Sequence, residues 1–256
     1  MKIFKLSLIL SIILIPSLAF AWGPLTHIYL GREIFSLGPL LPAGIYALLR
    51  KYRHDFLYGN LMADIIIGKK FLPEDKNPHS WDMALNLFES AKTQQQKAFV
   101  YGYMSHLAAD TVAHGRFSGK NIGHTLVELR ADSLIDKKYW FQAMSIDRKV
   151  QQRNDIFLER SLERVVTFTP KNPATFWGPH FSFKTNKRIF KGMLFLSCFN
   201  QERIGDLIHR NANRLSIPTK GNIIQLHDKS IDRIIDILCN GKASEVVKEN
   251  PMVSIR

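Results

Sequence analysis

The chain has 256 residues, 46% of them hydrophobic and 22% charged, with a formal net charge of +13. That is enough apolar material for one substantial core, and it excludes a disordered chain or a fibrous repeat. Residues 22–136 are nearly balanced in charge and most of the excess lies in 137–256, which suits an anionic partner such as a phospholipid surface or nucleic acid, or simply a solubilising surface.

The chain opens as a secretory leader does. Lys2 and Lys5 give a positive start, Leu6 to Pro16 an apolar stretch, and Ala19-Phe20-Ala21 small residues at the two cleavage positions. Residues 1–21 are therefore expected to be a signal peptide, with Trp22 first in the mature chain. The alternative, an uncleaved anchor, is disfavoured by the short apolar stretch and by Pro16. A protein read this way is periplasmic or secreted.

Helical spacing dominates the chain beyond Trp22. Pro24 and Pro42 each mark a helix start, succeeded by Ile28, Leu30, Ile34 and Phe35, and by Ile45, Leu48 and Leu49. Ser80 to about Ser90, Gln94 to about His114, and Gly123 to about Lys137 repeat at three and four residues, whereas Phe71 to His79, with Pro73 and Pro78, reads as a loop. The prolines at 170, 173 and 179 mark the best internal boundary. Phe181 to about Leu215 and Ile231 to about Cys239 are again helical in pattern. The expected organisation is all-α: a helical catalytic domain over 22–168 and a basic helical C-terminal extension over 169–256. Cys198 and Cys239 either form one disulfide or remain buried thiols, and spacing leaves both open.

Six of the nine histidines fall between His27 and His124. In a helix, residues four apart lie on one face, so His106, Asp110 and His114 form a stripe of three potential ligands, and His124 and Glu128 a second stripe on the next helix. Tyr103, Met104, Leu107, Ala108 and Ala109 mark the first of these helices as buried. Asp110 cannot stay ionised there without a cation, which Arg116, Arg130 or a metal would supply. Imidazole and carboxylate ligands on facing helices suit zinc. Taken singly, Asp64 reads equally as a turn or capping residue, His79 as surface loop and Glu128 as an intrahelical ion pair.

The order of Trp22, His27, Gly59-Asn60-Leu61-Met62-Ala63-Asp64, His79, His106-x3-Asp110-x3-His114 and His124-x3-Glu128 resembles the zinc-dependent phospholipase C family, which shares its fold and trinuclear zinc site with certain single-strand-specific nucleases. Gly102 to His114 is most similar to the branch that includes the catalytic part of glycosylphosphatidylinositol-cleaving phospholipase D. Asp110 and His114 stand closer together than in the better-known secreted phospholipases.

The resemblance implies a multi-helix bundle with three Zn2+ per chain. Trp22, through its freed α-amino group and carbonyl, and His27 would hold one zinc, with Asp110 bridging to a second held by Asp64, His79 and His106. His114, His124 and Glu128 would hold the third. Asp64 would also be the general base. Apart from the resemblance, Asp132 extends the His124 and Glu128 stripe by another turn, where it can orient a ligand imidazole from behind. The implied reaction is zinc-dependent phosphodiester hydrolysis, on phospholipids by C- or D-type cleavage, with contact to an anionic membrane surface. Nucleic acid is the lesser partner. The rivals are a nuclease or phosphomonoesterase on the same fold and an exported zinc-binding protein without turnover.

Overall fold

The fold is described from a computed structural model, over residues 22–66, 77, 79–116, 121–165, 182–211 and 218–251. The expected leader at 1–21, most of the expected loop before His79 and the expected boundary near 170–179 lie outside these residues. Among the described residues the structure is helical and contains no strand. None of its helices is long and apolar enough to cross a membrane.

Helix α1 (Pro24–Glu33) starts with Pro24 in the first turn, where its missing N–H costs nothing. Its cap comes from another helix. Asp132 accepts hydrogen bonds from Leu25 N (3.3 Å), Thr26 N (2.8 Å) and Thr26 Oγ1 (2.7 Å), placing a carboxylate at the positive helix end. Gly23 permits this, because a Cβ there would overlap the Asp132 carboxylate. Burial nevertheless pushes the Asp132 carboxyl up to about 6, against the pull of the Thr26 and Leu25 hydrogen bonds.

Helices α2 (Ala43–Lys51) and α3 (Arg53–Met62) meet at Tyr52. Ser80 caps α4 (Trp81–Ser90) by accepting from Met83 N. The long helix α5 (Gln94–Arg116) is buried over most of its length and packs against α3 on one side. The two backbones touch at two glycines. A Cβ on Gly59 would overlap the Phe99 carbonyl, and one on Gly102 would overlap the Phe56 carbonyl. No side chain stands between the helices at this point, so α3 is fixed closely to the helix that carries His106.

Helices α6 (Asn121–Ser133), α7 (Lys138–Met144) and α8 (Arg148–Val165) complete the first part. Asp55, buried on α3, accepts from Arg153 Nε at 2.9 Å and Nη2 at 2.5 Å and from Asn154 Nδ2 at 2.7 Å. It ties α3 to α8 and takes no part in the histidine cluster, while its neighbour His54 is exposed.

Two long helices come next, α9 (Phe183–Asn211), packed on α6, and α10 (Lys220–Asn240), packed on α5. Phe183, Phe190, Ile223, Ile234 and Ile237 join the same core as Phe99 and Leu107. The periodicity places the last helix at Ile231, yet it begins at Lys220, where the Thr219 side chain accepts from Asn222 N. Cys198 and Cys239 are both free thiols, one half-buried and one exposed.

Candidate metal centre

Five of the anticipated residues converge. His27 comes from α1, Asp64 from just past the end of α3, His79 from the residues before α4, and His106 and Asp110 from one face of α5. The ligand-type atoms of His27, His106 and Asp110 lie within 4.8 Å of one another, as do those of Asp64, His79 and His106. His27, His79, His106 and Asp110 are buried, and Asp64 is the member with more exposure, at 15% of its side chain.

Asp110 stands at the middle and its two oxygens face different groups. Oδ1 is 3.3 Å from the Trp22 backbone nitrogen and 3.1 Å from His27 Nε2. Oδ2 is 2.8 Å from His79 Nε2 and 3.2 Å from His106 Nε2. Asp64 Oδ1 approaches the second pair, at 3.6 Å from His79 and 3.5 Å from His106. One carboxylate thus addresses two separate donor sets, the geometry of a bridging ligand.

The imidazoles are held for this purpose. His106 Nδ1 lies 2.8 Å from the Asn60 carbonyl, which can only accept, so Nδ1 carries a hydrogen and Nε2 is presented to the cluster. His79 Nε2 and His106 Nε2 are 2.9 Å apart, and two ring nitrogens so close repel unless a proton or a cation lies between them. The His27 ring stacks on His106 at 3.6 Å. Its Nε2 stands at ion-pair distance from Asp110, but the approach is not aligned for a hydrogen bond, so both ring nitrogens of His27 are buried without one.

The electrostatics reflect this crowding. Burial opposes a charged His106, but Asp64 and Asp110 outweigh it and raise the imidazole to about 9. His27 is lowered, first by burial and then by the neighbouring His106 charge. Burial works against the Asp110 anion, and the two imidazoles overcome it, holding the carboxyl well below its usual range. Among the described groups, His106 and His27 are what hold the Asp110 carboxyl down.

Zinc fits this donor set. A tetrahedral ion with bonds of about 2.1 Å places its ligand atoms about 3.4 Å apart, close to the separations found here. The donors are nitrogen and oxygen, and His27 has two buried ring nitrogens without hydrogen bonds. Trp22, His27 and Asp110 would hold one ion, and Asp64, His79, His106 and Asp110 another. Glu128 is buried on α6. The side chains of His114 on α5 and His124 on α6 lie outside the described residues, so the third set stays an expectation.

Further contacts hold the site in place, and Ser230 and His227 among them have no counterpart in the sequence pattern. Trp22 is buried, and its indole Nε1 donates to the Ala109 carbonyl and to Ser230 Oγ, both at 3.0 Å. Asn60 acts through its backbone, which no residue pattern reveals. Ser230 and His227 belong to α10, far from the histidine-rich half of the chain. Asp132 sits behind the site, as expected, but it anchors the start of α1 rather than bonding a ring.

His227 is 4% exposed and packs edge-on against the Trp22 indole, with ring centroids 5.1 Å apart. Burial lowers its imidazole from 6.5 to about 4. The unfolded chain therefore takes up this proton at higher pH than the folded one. Stability from a neutral His227 is present above about pH 6.5 and lost as pH falls toward 4, by up to about 3 kcal/mol. Denaturant titrations at pH 7 and pH 4.5 are expected to show this loss in the parent and a shallower one in His227→Gln. Equal losses would remove His227 from the acid sensitivity.

A family model described as zinc dependent phospholipase C matches residues 26–171. No curated protein and no solved structure matches the chain.

Proposed function

Since the chain belongs to the zinc-dependent phospholipase C family, we propose that it is an exported zinc-dependent phosphodiester hydrolase acting on phospholipids. The observation that carries the reading is the division of labour at Asp110, whose two oxygens serve two donor sets. Adjacent cations are what phosphodiester hydrolysis calls for. By family likeness, His114, His124 and Glu128 bring the number of zinc ions to three.

Bound zinc supplies positive charge to the phosphate oxygens and lowers the pKa of a coordinated water toward about 7. Asp64, the most exposed of the five converging groups, would accept the proton of the attacking water. Asn60 fixes the His106 tautomer through its carbonyl. Asp132 and Gly23 set the start of α1 and with it the position of His27. C-type cleavage would yield diacylglycerol and a phosphorylated head group.

The leader enters the chemistry through Trp22. While the bond to Ala21 is intact, the Trp22 nitrogen near Asp110 is an amide with no lone pair to give a metal. Cleavage converts it to an amine in the same place, so maturation completes the first donor set. The leader also fits a periplasmic or secreted destination, and the basic charge fits contact with anionic membranes.

Metal analysis of the purified protein, paired with N-terminal sequencing and a chromogenic phosphodiester assay, tests the reading. Expected are about three zinc ions per chain, Trp22 as first residue, and turnover that a chelator abolishes and zinc restores. Tight zinc without turnover would instead identify a binding protein. Cleavage of single-stranded nucleic acid but not phospholipid would identify a nuclease.

A further inference from the structure

Helix α9 turns one stripe to solvent. Lys184, Arg188, Lys191, Phe195 and Phe199 are all exposed, at the three- and four-residue spacing of one helix face. Phe195 and Phe199 are 60% and 52% exposed, and their rings lie parallel with centroids 6.5 Å apart. Beside them run Phe141, 64% exposed, and Met144, 46% exposed, on α7. The two helices are joined by Trp140 Nε1 donating to Gln201 Oε1 at 3.1 Å and by Lys137 Nζ to Glu202 at 2.6 Å. Met144 and Phe195 border the same cavity of about 270 Å³.

Scattered apolar side chains on a surface need no explanation, but four large ones gathered on adjoining helices do. α9 does not have the apolar length to span a bilayer. Aromatics at one end of a stripe and cations along the rest are what a helix lying in a membrane interface presents. Lys187 is turned inward to Asp155 and Lys191 Nζ donates to Gln151 Oε1 at 2.6 Å, so the outward cations are Lys184 and Arg188. A symmetric dimer through this face would bring two like-charged stripes together, which disfavours a second copy as occupant.

We infer that the exposed face of α7 and α9 is the docking surface for an anionic phospholipid bilayer. Phe141, Met144, Phe195 and Phe199 enter the head-group region, and Lys184 and Arg188 pair with lipid phosphates. The assignment deepens the phospholipid reading and rests on it for its purpose, but its test needs no turnover.

Co-sedimentation of the processed protein with vesicles, with chelator present throughout, reads the binding directly. The parent is expected to pellet with phosphatidylglycerol-containing vesicles more than with pure phosphatidylcholine, and less at high salt. Phe195→Ser with Phe199→Ser, and separately Lys184→Glu with Arg188→Glu, are each expected to weaken vesicle affinity about tenfold or more. All four positions are exposed, so melting temperature and cleavage of a soluble phosphodiester should stay at the parent's level. Undiminished vesicle binding by both variants overturns the assignment, as does a parent dimer that the Phe variant dissociates without any vesicle binding. Vesicle binding that both variants lose, in a protein that cleaves no soluble phosphodiester, upholds the surface and removes the hydrolase reading.

Discussion

Asp110→Asn is expected to strip the protein of zinc and to lower phosphodiester turnover about a thousandfold, since bound metal contributes several kcal/mol and each 1.4 kcal/mol is about tenfold in rate. The side chains are nearly the same size, so the loss would come from chemistry. Asparagine offers one carbonyl oxygen, and its amide nitrogen can only donate. Either the Trp22 and His27 side or the His79 and His106 side would then face an N–H where an anion had been. His106 would also lose one of the two carboxylates that raise it to about 9. Metal content and melting with and without chelator check this: the parent should melt lower in chelator, whereas the variant should show no difference. Retained zinc and turnover in Asp110→Asn would place the catalytic centre elsewhere.

The second large effect concerns packing. Gly102→Ala should destabilise the fold by about 3 kcal/mol or more, because its methyl would overlap the Phe56 carbonyl and neither helix backbone can yield without moving the other. α3 ends shortly before Asp64, and α5 carries His106 and Asp110, so separating them should weaken zinc binding as well. Gly192→Ala is the internal comparison. A Cβ there meets open space on helix α9, and the change should be neutral or stabilising by up to about 1 kcal/mol. Denaturant titration of both variants reads the contrast. A Gly102→Ala protein as stable as its parent would contradict the close approach of α3 and α5.

The part of the site that lies on one helix is legible from spacing. His106 and Asp110 are four apart in an apolar run, and helical geometry alone puts them on a shared face. That His27, Asp64 and His79 join them is not available from spacing, because they come from three other places in the chain, and only the resemblance of their order suggests it. Asp64 and His79 stand outside regular helix, where periodicity says nothing. Sequence offers Arg116, Arg130 or a metal as the cation for Asp110, and the structure sets His106 of the same helix and His27 of α1 against it. Helix α7 escapes the periodicity because it is short, whereas α8 does carry an apolar stripe, Val150, Phe157, Leu158 and Leu162, sparse among charged and amide side chains. The early start of α10 is hidden in a weak signal, the cap at Thr219 after Pro218. The tie between Asp132 and Thr26 spans more than a hundred residues, beyond any local pattern.

The indole of Trp22 is gripped by Ser230, 208 positions later in the chain. During synthesis the front of the polypeptide emerges long before the segment that will seat it, so the two ends of the site meet only after nearly the whole protein has been made.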